Sequence, residues 1–301
     1  MRWSPSWLIV CASFLFATMG VCVKLASAQY SAGEIVLYRG LTGAVMMLGL
    51  ARWQGGTVAT KLPAMHFWRS LAGVVSLVLW FYAIGNLPLA TAMTLNYMSS
   101  VWMALFLLGG AIAAGGSRVD GRLVATVLAG FAGVAMILRP TIEERQLWHG
   151  LMGLLSGVIA ATAYLQVTAL GRAGEPEMRI VFYFSLGGVA AGALLLPWTG
   201  LHWHTWSGAL LLLAVGVLAT IAQLMMTRAF STGRTLVNAC LQYLGIAWSF
   251  VYGVLLFGDR VTPLALAGML LIVVAGMSAT LLRSRSGQPQ VAAIADPQSS
   301  A

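Results

Sequence analysis

Ten apolar segments, each about as long as a membrane-spanning helix, limit what this chain can fold into more than any other feature. A helix needs about 20 predominantly apolar residues to cross the hydrocarbon core of a bilayer, and segments of that length recur from residue 5 to residue 283. Only 8% of the 301 residues are charged, whereas about a quarter are charged in a soluble domain. We therefore predict an all-α integral membrane protein with ten transmembrane helices, solvated by the lipid bilayer. The predicted spans are residues 5–26, 31–51, 65–86, 89–112, 119–138, 148–170, 178–199, 206–229, 234–257 and 262–283.

The basic residues are unevenly distributed between the loops that these spans define. With the N-terminus on the inner side, the inner segments hold twelve of the 17 lysines and arginines, Arg69 among them, and the outer segments hold four. Cytoplasmic loops carry an excess of Lys and Arg, so we predict a bacterial-type inner (plasma) membrane protein with both termini in the cytoplasm. The net charge of +9 is spread between apolar runs, and this scatter predicts no nucleic-acid partner.

The two halves of the chain share a short pattern. The tripeptide Leu-Asn-Tyr at 95–97 returns as Leu-Gln-Tyr at 241–243, 146 positions later, and a tryptophan follows each tyrosine five residues on. Each half holds five spans, an odd number, so the second half enters the membrane from the opposite side. We predict two inverted five-helix repeats, whose substrate site usually lies near the midplane between the repeats. The repeats comprise residues 1–145 and 146–284, and the composition of residues 285–301 is typical of a disordered cytoplasmic tail.

The amides of the shared pattern are candidate binding groups. Exposure of an amide to lipid is costly, so Asn96 and Gln242 are expected to point into the bundle. Asn96 and Ser99 share one helical face, with Tyr97 at its edge, and Tyr243 follows Gln242 in the second copy. These groups can hydrogen-bond the ammonium and carboxylate of an amino acid. The alternative is that they join helices, since Asn, Gln and Ser often hydrogen-bond between membrane helices.

Aromatic residues within the spans suggest the walls of a cavity. Trp80, Tyr82 and Tyr164 can stack on an apolar side chain or hold an ammonium by cation–π attraction. The alternative is core packing. Arg39 lies about 12 Å from the outer end of its span at 1.5 Å per residue, and an ionised group at that depth is a candidate for function. It can bind a carboxylate, or it can cap carbonyls or pair with Glu34.

The acidic residues of the chain are largely absent from the spans. Spans one and three to ten have no Asp or Glu in their interior. A proton antiporter usually needs a buried titratable group, and a pump for cationic drugs needs a buried carboxylate. Facilitated transport of a neutral zwitterion fits this inventory better. No nucleotide-binding motif is present, so no ATP-binding partner is expected. His202 and His204 have no third ligand beside them, so no metal is expected, and no cofactor is expected either.

Short segments in both halves match a known pattern. They are Phe81-Tyr82-Ala83 with Ala90 and Ala92, Leu256-Phe257-Gly258-Asp259-Arg260 with Gly268 and Gly276, and the basic residues Lys24 and Arg39 of the first two spans. Together they resemble the EamA-type drug/metabolite transporter superfamily, over residues 5–283, with the second half closer to its pattern. The resemblance implies a transporter of small metabolites with ten helices, and no enzymatic activity.

Within that superfamily, Asn96-Tyr97 resembles the YddG-type exporters of aromatic and other neutral amino acids. This resemblance implies an aromatic-lined central cavity, facilitated transport, and site positions at Tyr97, Ser99, Tyr164 and Gln242. Those exporters continue with tryptophan and proline, where this chain has Met98 and Ser99.

The prediction from the sequence is therefore an exporter of aromatic and other neutral amino acids that works by facilitated alternating access through a midplane cavity. Two alternatives stay open. A carrier of a nucleotide sugar or a drug would need several deep basic groups or a deep carboxylate, and only Arg39 is available for the first. A membrane enzyme acting on lipid would need acid, base or metal groups clustered at one interface.

Overall fold

The computed structural model describes residues 4–113, 122, 125, 128–130, 132–133, 136, 144–233, 238, 241–259 and 262–285. Within these residues the chain forms ten helices and no strand. They are α1 (Pro5–Ala26), α2 (Ala32–Trp53), α3 (Pro63–Asn86), α4 (Leu89–Tyr97), α5 (Ser99–Ala113), α6 (Glu144–Arg172), α7 (Glu177–Thr199), α8 (Trp206–Thr232), α9 (Leu244–Phe257) and α10 (Pro263–Arg285).

The helices confirm an all-α membrane protein. Six of them, α1 to α3 and α6 to α8, are long and apolar enough to cross a membrane, and they lie within a few residues of the predicted spans. Helix α9 and residues 266–275 of α10 form shorter apolar helices. Most of the predicted fifth span, 119–138, and all but the first residue of the predicted tail lie outside the described residues.

The fourth predicted span is not one continuous helix. Helix α4 ends at Tyr97 and α5 begins at Ser99, so Met98 forms a turn between them. A second interruption lies at the corresponding place in the other half, where Gln242 and Tyr243 form a turn before α9. Helix breaks at membrane depth occur where the freed backbone is buried in protein or lines a cavity. Both shared tripeptides therefore lie at interrupted helices.

Pairs of helices from the two halves form the centre of the bundle. Helix α1 packs mainly on α8, α2 on α7 and α3 on α6, with smaller contacts of α1 with α9 and of α4 with α6. Glycines allow the closest approaches. A Cβ at Gly192 would lie 2.7 Å from the backbone nitrogen of Leu37, and one at Gly157 would lie 2.6 Å from the carbonyl oxygen of Leu95. Gly157 and Gly192 thus allow the backbones of neighbouring helices to approach closely, as small residues do at helix interfaces in membranes.

The loop between α7 and α8 is tied to the first turn of α2. Ser31 and Glu34 form a capping box at the N-terminus of α2. The Glu34 carboxylate also accepts from the His202 backbone N–H at 2.8 Å and lies 2.6 Å from His202 Nδ1. Glu34 is thus fully engaged at the helix end, and the alternative in which it pairs with Arg39 is wrong.

Candidate functional site

A cavity of about 50 Å³ lies inside the bundle, between helices of the two halves. Helices α1 to α4 contribute lining residues from the first half, and α6, α7 and α8 contribute lining residues from the second. A water molecule needs roughly 10–15 Å³ of such space, so the cavity holds a few waters in this conformation. A solute of amino-acid size would have to widen it.

Five of the nine predicted site residues line this cavity: Arg39, Trp80, Asn96, Tyr97 and Tyr164.

The other four predicted residues lie outside the lining. Tyr82 places its ring 5.3 Å from that of His149, and Ser99 is fully buried just after the helix break. Gln242 donates to Met226 Sδ at 3.5 Å, and its Oε1 has no hydrogen-bond partner among the described groups. Tyr243 is buried beside it. The structure thus brings the first tripeptide to the cavity and sets the second behind it.

Asn96 combines the two roles that the sequence left open. Its side chain lines the cavity, while its Nδ2 donates to Ser156 Oγ of α6 at 2.9 Å. The Ser156 carbonyl accepts from Ser76 Oγ of α3 at 2.8 Å. This chain of hydrogen bonds fixes α3, α4 and α6 together, so Asn96 both joins helices and presents an amide to the cavity.

The two helix interruptions meet each other through Tyr97. A Cβ at Gly245, at the start of α9, would lie 2.7 Å from Cε2 of Tyr97 and 2.6 Å from its hydroxyl oxygen. The phenol ring therefore rests directly on the backbone that follows the second interruption. The absence of a side chain at Gly245 allows Tyr97 to reach across the two halves.

The aromatic walls hold fixed orientations. The Tyr164 ring stacks on Phe230 with centroids 5.4 Å apart and planes 4° apart. Trp80 is buried against Phe16, with ring centroids 6.5 Å apart, and its indole nitrogen has no hydrogen-bond partner in the described part of the chain. Trp80 and Tyr164 therefore contribute flat aromatic faces to the cavity.

The cavity also holds two arginines, of which only one was predicted. Arg39 of α2 and Arg69 of α3 are 3% and 2% exposed, and both line the cavity. Their Cζ atoms lie 4.8 Å and 4.4 Å from the centroid of the same ring, that of Phe184 in α7. Two cations therefore converge on one aromatic side chain by cation–π contact.

Neither arginine has an acidic partner within the described residues. The ion pairs found there involve Lys24 with Asp259, Glu175 with His66 and Arg179, and Glu34 with His202. Arg39 Nε and Arg69 Nε and Nη1 have no hydrogen-bond partner among the described groups. Buried charges are normally paired, so these two guanidinium groups can bind an anionic group in the cavity.

Arg69 was missed because the positive-inside count placed it in a cytoplasmic segment. It is the seventh residue of α3 and lies inside the protein. The inner segments therefore hold eleven basic residues instead of the twelve that were predicted. The signal that could have found it is helical spacing. Gly73, Ser76 and Trp80 follow Arg69 at intervals of four, seven and eleven residues, so all four lie on one face of α3.

Two polar clusters tie the helices at opposite ends of α3. At its C-terminal end, Lys24 Nζ lies 3.5 Å from Asp259 Oδ1 and donates to the Leu87 carbonyl at 3.2 Å. Asp259 in turn accepts from the Leu89 N–H at 3.1 Å. We refer to these groups as the Lys24 cluster.

At the N-terminal end of α3, Glu175 accepts hydrogen bonds from Thr60 and Arg179 and lies 3.7 Å from His66 Nε2. We refer to these groups as the Glu175 cluster. Burial, the largest influence, raises the pKa of the Glu175 carboxyl. The hydrogen bonds and the neighbouring cations outweigh it, so the pKa lies below the ordinary glutamate value.

A bundle of apolar helices around a small buried cavity with polar and charged walls is the architecture of a membrane transporter. Comparison with known proteins supports this class. The EamA-like transporter family matches residues 3–139, which lie in the first half, whereas the second half was predicted to be closer to the family pattern. The chain belongs to this family and is a multi-pass membrane transporter.

The similar proteins cover almost the whole chain. The pseudopaline exporter CntI of Pseudomonas aeruginosa is 34% identical over 288 residues, covering 93% of this chain and 96% of the exporter. An uncharacterized transporter of Helicobacter pylori is 26% identical over 288 residues, covering 90% of this chain and 92% of that protein. A solved crystal structure matches 94% of this chain and 100% of its own with a TM-score of 0.69 at 19% identity, which shows that the fold is shared.

Proposed function

We propose that this protein exports a small amino-acid-like metabolite from the cytoplasm across the inner membrane, through the central cavity, by alternating access. The observation that carries the proposal is a cavity lined from both halves by Asn96, Tyr97, Trp80, Tyr164 and two arginines. Amide, hydroxyl and guanidinium groups bind the carboxylate of such a solute, and the aromatic faces hold its apolar or ammonium part.

The helix contacts support an origin in two inverted repeats. If α1 to α5 belong to the first repeat and α6 begins the second, α6 corresponds to α1, α7 to α2 and α8 to α3, and the offset of 146 residues between the shared tripeptides pairs α9 with α5. The contact of α1 with α8 then exchanges with that of α3 with α6, and the contact of α1 with α9 exchanges with that of α5 with α6. The contact of α2 with α7 maps onto itself. Such reciprocal pairs are expected of two related halves around a midplane site.

The two polar clusters are suited to alternating access. The Lys24 cluster holds α1, α9 and the α3–α4 connection at one end. The Glu175 cluster holds the α2–α3 and α6–α7 connections at the other end. In the proposed cycle each cluster opens in turn while the cavity stays between them. The positive-inside count, now eleven to four, supports placing both termini in the cytoplasm.

The direction of transport follows the family relationship. The relative from Pseudomonas aeruginosa is named an exporter, and this supports export here. Of the alternatives, Arg69 favours a second candidate, because a carrier of phosphorylated solutes such as nucleotide sugars needs more than one deep cation. A deep carboxylate for cationic drugs is not found among the described lining residues.

The function can be tested with purified protein in liposomes. We expect counterflow of radiolabelled amino acids, and Trp80→Ala should reduce the initial rate at least tenfold. Trp248→Ala is the matched control, because Trp248 is 40% exposed on the outside of α9 and should leave the rate nearly unchanged. If amino acids and related metabolites do not move, while a positive-control carrier works in the same liposomes, the proposed function is wrong.

A further inference from the structure

Arg39 and Arg69, which line the cavity without an acidic partner among the described residues, indicate the charge of the solute. The other lining residues are uncharged and give no such indication. At 4.8 Å and 4.4 Å from one ring centroid, the two Cζ atoms are at most their sum, 9.2 Å, apart. Arg39 lies near the start of α2 and Arg69 near the start of α3, and these helices run in opposite directions. The two side chains therefore reach the ring from opposite ends of the bundle, and one small solute can contact both.

The local structure of α3 positions Arg69 for this contact. A Cβ at Gly73 would collide with Nη1 of Arg69 and would lie 2.9 Å from Cε2 of Phe184. The guanidinium therefore folds back over the glycine, one turn along its own helix, into the space between α3 and Phe184. Any larger residue at position 73 would displace the charge without removing it.

A neutral zwitterion does not balance this site. Its carboxylate can pair with one guanidinium, but its ammonium adds a third positive charge, and none of the described lining residues is acidic. Each guanidinium fits one planar carboxylate through two parallel N–H···O bonds. A solute with two carboxylates satisfies both arginines, and the faces of Trp80, Tyr97 and Tyr164 remain for its apolar or ammonium part.

We propose that the cavity selects amino-acid-like solutes with two carboxylates and a net negative charge, one carboxylate pairing with Arg39 and the other with Arg69. This inference rests on the proposed export function and names its substrate class. It replaces the expected preference for neutral amino acids with one for acidic solutes.

The first experiment measures binding to the detergent-purified full chain by isothermal titration calorimetry. Glutamate and glutamine are the matched probes, because they have nearly the same size and differ by one carboxylate. We expect glutamate to bind at least tenfold more tightly than glutamine, and glutarate to bind more tightly than its monoamide. Arg39→Gln and Arg69→Gln should each remove this preference, whereas Arg172→Gln, which removes an exposed charge at the end of α6, should preserve it.

Gly73→Ala separates the position of the charge from its presence. We expect this variant to keep the fold and the net charge but to weaken glutamate binding about tenfold, with little effect on glutamine. Equal loss for both probes would indicate general damage to the cavity and would contradict the positioning role of Gly73.

Three results would overturn the inference. The first is equal or tighter binding of the amide member of each pair, and the second is an unchanged preference for the second carboxylate in both arginine variants. The third is tighter binding of phosphoserine than of glutamate, lost in both variants, which would identify a phosphate as the second anion. In the liposome assay, transport of neutral but not dicarboxylic solutes would refute this inference alone, whereas transport of neither would refute the proposed function.

Discussion

The ion pair between Lys24 and Asp259 is expected to contribute measurably to the free energy of unfolding, because both side chains are largely buried. The two side chains are 18% and 13% exposed and their charged atoms lie 3.5 Å apart. At that separation the Coulomb attraction is about 5 kcal/mol at an effective dielectric constant of about 20 and about 1 kcal/mol in bulk water. Desolvation of both groups offsets part of it, so we expect a net coupling of about 1–2 kcal/mol.

A double-mutant cycle isolates this coupling from the other contacts of the two residues. Lys24→Met removes the cation and retains much of the apolar stem, and Asp259→Asn retains an oxygen that can accept from the Leu89 N–H. The free energy of unfolding would be measured in mixed detergent micelles for the wild type, both single variants and the double variant. Because the double variant leaves no unpaired charge, it should be more stable than the sum of the two single losses predicts.

The control combines Lys24→Met with Arg172→Gln, whose side chain is exposed at the end of α6. These two changes should be additive. A coupling between positions 24 and 259 below about 0.5 kcal/mol, the usual limit of additivity, would show that the Lys24 cluster contributes little to closing that end of the bundle.

Two further predictions concern the helix interruption and the Glu175 cluster. Gly245→Ala should lower the free energy of unfolding by about 1–3 kcal/mol, because its Cβ would overlap the ring of Tyr97. Adding Tyr97→Leu to the Gly245→Ala variant should restore most of this loss. If the second substitution restores nothing, the contact with Tyr97 is not the cause. Since the pKa of Glu175 is lowered in the folded protein, its contribution to stability is present above the unfolded pKa of about 4.3 and is lost as the pH falls through the lower folded pKa. Wild type should therefore lose more stability than Glu175→Gln between about pH 5 and pH 3 in micelle unfolding experiments, and parallel pH curves for the two proteins would contradict this.

The length of the apolar runs was sufficient to locate the six long helices, because a span must match the thickness of the hydrocarbon core. The interruption at Met98 was not predictable in the same way. Residues 95–100 contain neither proline nor glycine, so no local signal ends the helix. The break is compatible with its surroundings because Gly157 of α6 approaches the carbonyls of Leu95 and Asn96 and Gly245 receives Tyr97, and these contacts exist only after the halves pack.

The candidate site shows the same division between local and long-range information. Side-chain chemistry and helical periodicity selected the candidate residues, and five of them line the cavity. Neither property shows which inward faces meet one another. The positions of Gln242 and Tyr82 outside the lining were therefore not predictable, although both side chains are chemically suitable. Arg69 was the opposite case, since an arginine near the cytoplasmic end of a span usually contributes to topology. Only the packing of α3 on α7 brings it to Phe184.

The electrostatic cost of burying the two arginines in the empty cavity can strengthen the binding of an anionic solute. With the Cζ atoms at most 9.2 Å apart, their mutual repulsion is at least about 1.8 kcal/mol at an effective dielectric constant of about 20, and the burial of each charge costs several kcal/mol more. Cation–π contact with Phe184 offsets only about 0.5–2 kcal/mol for each guanidinium. The empty cavity is therefore electrostatically unfavourable, and the packing of the surrounding helices must compensate for it. An anionic solute relieves both the repulsion and the unmet hydrogen bonds, so the same feature that weakens the empty protein strengthens binding of the solute with matching charge.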